Sequence, residues 1–205
     1  MTYSRRASVI PTRKPKTVSY AAFSLVLATL ACSRSSPPPT AGSTAKTAAK
    51  SESVSPSPPR HQYAGAEFMV PLGWSIEYVQ GMVLMLSPTV EADWQANISV
   101  EARSDREFRD LDEALNSIAQ ELRDRKAEFQ ELDRIVTTHP SGFHFARLGY
   151  TCREAGGTAL TEWEIVAQER GEKRFFILFS TATELRQKYD PIFDSFLESF
   201  TLATD

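Results

Sequence analysis

Near the C-terminus, five large apolar residues follow one another without interruption, from Phe175 to Phe179. Side chains alternate between the two faces of a β-strand, so a strand formed by this run carries apolar side chains on both faces. Such a strand is stable only where other elements cover each face. The run therefore predicts a central strand with a layer packed on either side.

Other apolar runs, separated by turn residues, predict the rest of the sheet. Turns are expected at Pro71 to Gly73, Gln80-Gly81, Pro140 to Gly142, Gly156-Gly157 and Arg170-Gly171. The strand-forming runs are EFMVPLGW, WSIEYV, MVLMLS, ANISVEA, FQELDRIVTT, FHFARLGYTC, TALTEWEIVAQ and KRFFILFST. Their short connections predict antiparallel pairing.

Two segments have helical spacing. LDEALNSIAQELRDRKAEF follows the N-cap residue Asp110 and predicts a helix that extends to Phe129. ELRQKYDPIFDSFLESF also has an apolar stripe, and Asp190-Pro191 predicts a break between a short helix and a longer one. We therefore expect an α+β fold: an α/β/α sandwich with a mostly antiparallel, meandering sheet of about seven to eight strands flanked by helices.

The N-terminal part of the chain has a different character. Residues 1–31 contain basic but no acidic residues and end in a mostly apolar run, Val18 to Ala31. As a helix this run spans only about 21 Å, short of the roughly 30 Å hydrocarbon core of a bilayer. Residues 1–31 are therefore predicted to be a signal peptide.

The signal peptide leads directly to a cysteine. LATLAC, which ends at Cys32, resembles a bacterial lipobox, although Thr29 stands where that pattern has Leu, Val or Ile. The resemblance implies that Cys32 is lipidated and becomes the mature N-terminus; ordinary secretory cleavage and an uncleaved anchor are the alternatives. Ser33 differs from the aspartate that retains some lipoproteins in the inner membrane. A bacterial envelope location is expected, at the outer membrane or cell surface rather than the inner membrane.

Residues 32–64 are rich in Pro, Ser, Thr and Ala, and Val54 is the one branched aliphatic residue from 33 to 62. This composition buries too little apolar area to offset the entropy of ordering. The segment is predicted to be a disordered tether that carries a globular domain at residues 65–205.

The charge of the domain restricts its partners. Residues 61–205 contain 14 Lys and Arg and 25 Asp and Glu, a formal balance of 14 − 25 = −11. This charge repels phosphate backbones over most of the surface. We expect no nucleic-acid partner.

No set of catalytic residues stands out. The histidines are His61, His139 and His144, and a pairing of Ser141 with His139 or His144 would be local in sequence, without a G-x-S-x-G motif. Cys152 lies on an apolar strand face and is predicted to be buried without a disulfide partner. No enzyme activity, metal site or cofactor is predicted.

Three aromatic residues are predicted to form a candidate binding surface: Trp74, Tyr78 and Trp94. Trp94 lies in a predicted loop, where an exposed indole often marks a contact surface, although it could also cover the edge of its own sheet. Trp163 alternates with Ile165 and is predicted to be in the core.

Five short motifs occur in order along the domain: F-x-V-P-x-G-W at Phe68 to Trp74, LSP at Leu86 to Pro88, NISV at Asn97 to Val100, LDE at Leu111 to Glu113, and the terminal YDPIFDSFLESF. Together they resemble the PsbP-like family. That family includes an extrinsic photosystem II subunit, a nuclear import factor that binds the Ran GTPase, and bacterial envelope proteins of the DcrB and LpqN types. The resemblance implies an α/β/α sandwich over roughly residues 68–202 and a binding or assembly role.

The leading hypothesis is a lipid-anchored, non-catalytic envelope protein whose domain binds an envelope protein or a small ligand. The alternative is a soluble secreted enzyme, lipid-handling protein or small-molecule-binding protein with a cleft lined by Trp74, Tyr78 and Trp94. A purely structural spacer is a third possibility.

Overall fold

The computed structural model describes residues 58–103, 108, 110–168 and 174–202 of the chain. Cys32 and the predicted signal peptide lie outside these residues. The described residues form β1 (Arg60–Tyr63), β2 (Ala66–Met69), β3 (Ser75–Val79), β4 (Met82–Leu86), β5 (Asn97–Arg103), α1 (Leu111–Arg125), β6 (Ala127–Thr138), β7 (His144–Arg153), β8 (Ala159–Gln168), β9 (Arg174–Ala182), a 3-10 helix (Thr183–Leu185), α2 (Arg186–Ser199) and β10 (Thr201–Leu202).

The strands form two antiparallel sheets. The larger sheet has seven strands in the order β3-β4-β5-β9-β8-β7-β6, and the smaller one has the order β1-β2-β10. The larger sheet consists of two meanders, β3 to β5 and β6 to β9, which meet where β5 pairs with β9. The chain passes from β5 through α1 to β6 at the opposite edge.

The large sheet is covered on both faces. α1 packs against β6, β7 and β8, whereas α2 packs against β9 and against β2 of the small sheet. The predicted α+β sandwich with a meandering antiparallel sheet is confirmed.

β9 is the fourth of the seven strands, and each of its nine residues is buried. Phe175, Ile177 and Phe179 belong to the core cluster beneath α2, so Phe176 and Leu178 point to the α1 side. The prediction of a central strand covered on both faces is thus confirmed.

Aromatic side chains fill the space between the large sheet and α2. Phe193 stacks on Phe179 with ring centroids 4.8 Å apart, and Phe196 meets Phe179 edge-on at 5.7 Å. Phe200 contacts Phe175 at 5.7 Å and stacks on Phe68 of β2 at 5.9 Å. These contacts hold the small sheet, α2 and the large sheet in one core.

The first helix is shorter than its spacing predicts. Asp110 accepts a hydrogen bond from the Glu113 backbone at 2.8 Å, which confirms the N-cap. The helix ends at Arg125, however, and Lys126 is already extended (φ −90°, ψ 127°). Phe129 lies in β6, where its ring contacts Tyr150 of β7 at 5.3 Å. Pairing with β7 thus outweighs the helical spacing of Phe129.

The second helix is longer than predicted, because Pro191 lies inside α2 rather than at a break. The boundary between the short helix and the longer one lies at Leu185, where the 3-10 helix ends and α2 follows. At the N-terminal side, β1 pairs with β2 from Arg60 onward. β1 therefore lies within residues 32–64, the segment predicted to be the tether.

We predict that Pro191→Ala stabilises the protein by about 1–2 kcal/mol. Pro191 is exposed and has no N–H to donate to the carbonyl one turn earlier, at an interior helix position where proline costs about 3 kcal/mol. Part of the gain is offset by the greater freedom of the unfolded chain. Urea unfolding measures the change, and a fall in the free energy of unfolding would contradict the prediction.

Candidate functional site

Charged side chains interrupt the apolar core at one place on the α2 face of the large sheet. They surround a cavity of about 180 Å³. Its charged lining residues are Asp133 of β6, Arg147 of β7, and Arg186, Asp190 and Asp194 of α2; its apolar walls are Trp163, Ile165, Phe179, Phe193 and Leu197. The side chains of Arg186 and Asp133 are 46% and 40% exposed, so the cavity is open to solvent.

Two ion pairs form the polar wall of the cavity. Arg147 Nη2 donates to Asp133 Oδ2 at 2.7 Å, and Arg186 Nε donates to Asp190 Oδ2 at 3.1 Å. The Arg186 guanidinium also lies over the Trp163 ring, 5.4 Å from its centroid. The cavity is therefore built from paired charges laid against an indole.

These pairs leave polar atoms unsatisfied. Within the described residues, Asp133 Oδ1, Asp190 Oδ1 and Arg147 Nε are buried without a hydrogen-bond partner. A buried polar atom without a partner costs about 1–3 kcal/mol. Two of the three atoms are carboxylate oxygens, which accept hydrogen bonds.

The lining carries three carboxylates and two guanidinium groups, a formal balance of −1. Burial raises the pKa of Asp190, an effect that Arg186 opposes and the charge of Asp194 reinforces. Asp194 is exposed. Among the described residues no ion pair to Asp194 is found.

Gly149 lets Asp133 reach its position. Gly149 pairs with Asp133 on β6 and with Trp163 on β8. A Cβ atom at Gly149 would lie 2.1 Å from Asp133 Oδ1 and 3.3 Å from Trp163 Cδ1. A glycine inside a strand often marks such a close approach.

Beside the cavity, β6 is an edge strand of the large sheet. Register shifts interrupt its pairing with β7 up to Asp133, and from Asp133 to Thr138 the pairing is regular. Leu132, Ile135 and Val136 are 42%, 39% and 46% exposed. Apolar side chains on both faces of this edge are therefore open to solvent.

The opposite face of the sheet contains a second polar cluster beneath α1, and this one is closed. Glu162, 2% exposed, accepts hydrogen bonds from Ser180 Oγ at 3.0 Å and Cys152 Sγ at 3.5 Å. Lys126 Nζ lies 3.1 Å from Glu162 and 2.9 Å from Glu154. The carboxylate of Glu162 is thus surrounded by donors from two strands, β7 and β9, and from the end of α1.

The surroundings of this cluster raise the pKa values of its thiol and its amine. Burial, followed by the charge of Glu162, raises the pKa of the Cys152 thiol well above its usual range. Burial lowers the pKa of Lys126, but the charges of Glu162 and Glu154 outweigh that effect and raise it overall. Cys152 is a buried free thiol, as predicted, and it remains protonated, so it is a poor nucleophile.

Glu164 points to the same side of β8 as Glu162. Burial and the neighbouring charge of Glu162 raise its pKa to about 8, while Lys126 and Arg103 act in the opposite direction. Glu164 is therefore largely protonated at neutral pH.

The structure brings Ser141 and His139 together, but their hydrogen bonds connect two parts of the fold. His139 Nε2 donates to the Leu197 carbonyl at 3.0 Å, so Nδ1 accepts hydrogen bonds. Nδ1 is shared by the Ser141 hydroxyl at 2.8 Å and the Ser141 backbone N–H at 3.1 Å. Burial lowers the pKa of His139. The ring joins the β6–β7 turn to the end of α2.

The three aromatic residues considered as a binding surface lie in different environments. Trp74 is 9% exposed and meets Tyr189 and Phe193 edge-on in the core. Tyr78 is 66% exposed on the edge strand β3, and its hydroxyl lies 2.7 Å from His61 Nε2. Trp94 is half-buried in the β4–β5 loop. That these residues form one binding surface stays a prediction, and Trp74 would contribute little exposed area to it.

Trp163 is in the core, as predicted, but sequence reasoning missed its charged neighbours. Arg147 and Gly149 lie on a strand face that also carries Phe145. A charged residue and a glycine within a strand face that otherwise points to the core were the sequence signal that could have indicated this polar site. Asp133 and the acids of α2 gave none, because exposed acids on edges and helices are common.

The described residues contain no group of three or more His, Cys, Asp or Glu side chains placed to hold a metal ion. No helix within the described ranges is both long and apolar enough to cross a bilayer.

No family model and no curated protein matches the sequence. Similar solved structures include cyanobacterial PsbP (CyanoP) from Synechocystis sp. PCC 6803, with a TM-score of 0.55, 18% identity, and coverage of 75% of this chain and 98% of that one. LpqN of Mycobacterium tuberculosis, which is involved in cell envelope biogenesis, has a TM-score of 0.54 and 16% identity, with coverage of 72% and 90%. A Pseudomonas aeruginosa protein of unknown function has a TM-score of 0.54 and 11% identity, with coverage of 72% and 99%. The chain has a PsbP-like fold.

Gly149→Ala is expected to destabilise the protein by about 1–3 kcal/mol, because the new methyl group displaces Asp133 from its place beside Arg147. Gly156→Ala is the matched control, since a Cβ there meets nothing within 4 Å. Urea unfolding measures both variants. Adding Asp133→Ala to Gly149→Ala should recover part of the loss, and equal stability of the two single variants would contradict the close approach.

Glu164 should also make stability depend on pH. Its pKa is raised from 4.5 to about 8, so the folded state holds the proton more tightly than the unfolded state. The free energy of unfolding should therefore fall as pH rises between these values. Glu164→Gln should flatten the fall, whereas the exposed Glu184→Gln should not. Identical pH profiles for wild type and Glu164→Gln would contradict this assignment.

Proposed function

We propose that this chain is a lipid-anchored envelope protein whose PsbP-like domain binds another protein and is not an enzyme. The anchor is Cys32, and residues between the anchor and β1 act as a tether. The location favoured is the outer membrane or cell surface.

The packing between the large sheet and α2 is the observation that carries the binding role. Aromatic side chains fill this space, and the cavity beside β6, of about 180 Å³, is smaller than the roughly 300–1,000 Å³ of typical small-molecule pockets. A protein surface is therefore a better match than an enclosed small ligand. The exposed apolar side chains of β6 offer such a surface.

The reactive groups support a role other than catalysis. Cys152 donates a hydrogen bond to Glu162 beneath α1, and both ring nitrogens of His139 form hydrogen bonds with other parts of the protein. The alternative of a soluble protein with an aromatic cleft depends on Trp74, which packs in the core instead.

The envelope location is supported by the sequence around Cys32 and by the likeness in fold to LpqN, a protein involved in cell envelope biogenesis. Fold likeness alone does not carry function. The lipidation of Cys32 is therefore the part of the proposal to test first.

Cys32→Ala should release the protein from the membrane fraction of its host without unfolding the domain. Cys152→Ala is the control, because it removes the other cysteine of the chain and leaves the lipobox intact. Mass spectrometry of the wild-type N-terminal peptide should give acylated Cys32. An unacylated N-terminus, or a Cys32→Ala protein that stays with the membrane, would refute the anchor.

Crosslinking in intact host cells tests the binding role. The wild-type protein should migrate in a crosslinked complex with a second envelope protein. Migration as a free monomer under all crosslinking conditions would refute it.

A further inference from the structure

We propose that the open edge of β6 and the adjoining cavity bind an extended, basic segment of a partner protein. The segment adds to the large sheet as a strand beside β6, and one of its lysine or arginine side chains enters the cavity between Asp133, Asp190 and Asp194. This inference rests on the proposed protein-binding function and names its site and the chemistry of its partner.

The edge itself supports strand addition. From Asp133 to Thr138, β6 pairs regularly with β7, and none of the described strands lies on its other side. Natural edge strands are commonly protected by proline, bulges or charge. In β6 the bulges lie before Asp133 and leave the regular part open. An added strand lies about 4.8 Å away and bonds through its main chain.

The two faces of β6 determine where side chains of an added strand point. Ile135 pairs with Arg147, so both lie on the α2 face, whereas Arg134 bonds to Asn116 of α1 on the other face at 2.6 Å. α2 packs over β9 and leaves Ile135 39% exposed. Alternate side chains of an added strand would therefore lie over Ile135 and Asp133, at the entrance to the cavity.

The unsatisfied atoms define the chemistry of the side chain that enters. Each ion pair uses one oxygen of its aspartate, and the second oxygens of Asp133 and Asp190 have no partner among the described residues. Asp194 adds a carboxylate at the same cavity. A lysine ammonium or an arginine guanidinium supplies several N–H donors and a positive charge, and small rotations of the aspartates would complete its hydrogen bonds.

Charge complementarity favours a basic partner over a second copy of this chain. The balance of residues 61–205 is 14 − 25 = −11, and that of the cavity is −1. Two such domains repel each other, whereas a basic segment is attracted to both the domain and the cavity. The cavity of about 180 Å³ accommodates a single side chain.

The test uses the full-length protein and a fluorescein-labelled peptide of about ten residues, with alternating valine and serine and one central lysine. Fluorescence polarisation should show binding that weakens with added salt. Replacing the lysine by glutamate, or methylating alternate backbone nitrogens, should weaken binding by about tenfold or more.

Two protein variants test the two halves of the site. Ile135→Lys places a positive charge at the edge, and Asp194→Asn removes a carboxylate from the cavity; each should weaken binding of the lysine peptide by about tenfold. Leu72→Lys, at the opposite side of the large sheet, and Asp112→Asn, on α1, make the same chemical changes elsewhere and should bind as wild type does. Circular dichroism checks that each variant is folded.

Four results of these measurements would overturn the inference. The first two are equal binding of the lysine and glutamate peptides, and no binding up to about 1 mM. The others are wild-type binding by both Ile135→Lys and Asp194→Asn, and a wild-type dimer that Ile135→Lys makes monomeric. The last would show that a second copy occupies the edge. If the complex crosslinked in cells persists in Ile135→Lys, the protein-binding function stands and this site is wrong. Absence of any complex in wild type instead removes the proposed function.

Discussion

The packing of β9 on both of its faces determines where the other layers of the domain lie. Its side chains are buried from Arg174 to Ala182, which requires one layer on each side of the sheet. α1 supplies one layer, and α2 with the small sheet supplies the other. Phe193 of α2 stacks on Phe179, and Phe200 at the C-terminal cap of α2 contacts Phe175, so the position of this helix depends on the same strand.

The polar clusters on the two faces of the large sheet lie in contrasting environments. Beneath α1, Glu162 is enclosed and is surrounded by donors that include Lys126 and Ser180. On the α2 face, the helix lies over β9 and leaves the region near β6 open, where Asp133 and Asp190 each keep an oxygen without a partner within the described residues. A closed, satisfied network stabilises a fold, whereas an open, unsatisfied one can be completed by a binding partner. This contrast places the candidate site at the β6 edge.

Much of the fold could be predicted because its signals are local. Apolar runs between turn residues predicted the seven strands of the large sheet, and Asp110 predicted the start of α1. β1, in contrast, lies in the segment predicted to be a tether. The end of α1 and the continuity of α2 through Pro191 could not be predicted, since strand pairing and packing against the sheet outweighed the local preferences of Phe129 and Pro191. The candidate site was missed for a related reason: its members come from β6, β7, β8 and α2, and no sequence spacing joins them.

Composition and periodicity along the chain are sufficient to predict the class of fold and the contrast between a basic, apolar N-terminal segment and an acidic domain. Lipidation of Cys32 is a prediction from the same sequence. The three-dimensional packing, in contrast, was needed to find which charges meet, that Gly149 makes room for Asp133, and that β6 lies at an edge of the large sheet. Those features depend on strand order and on the position of α2, which arise from contacts between residues far apart in the chain.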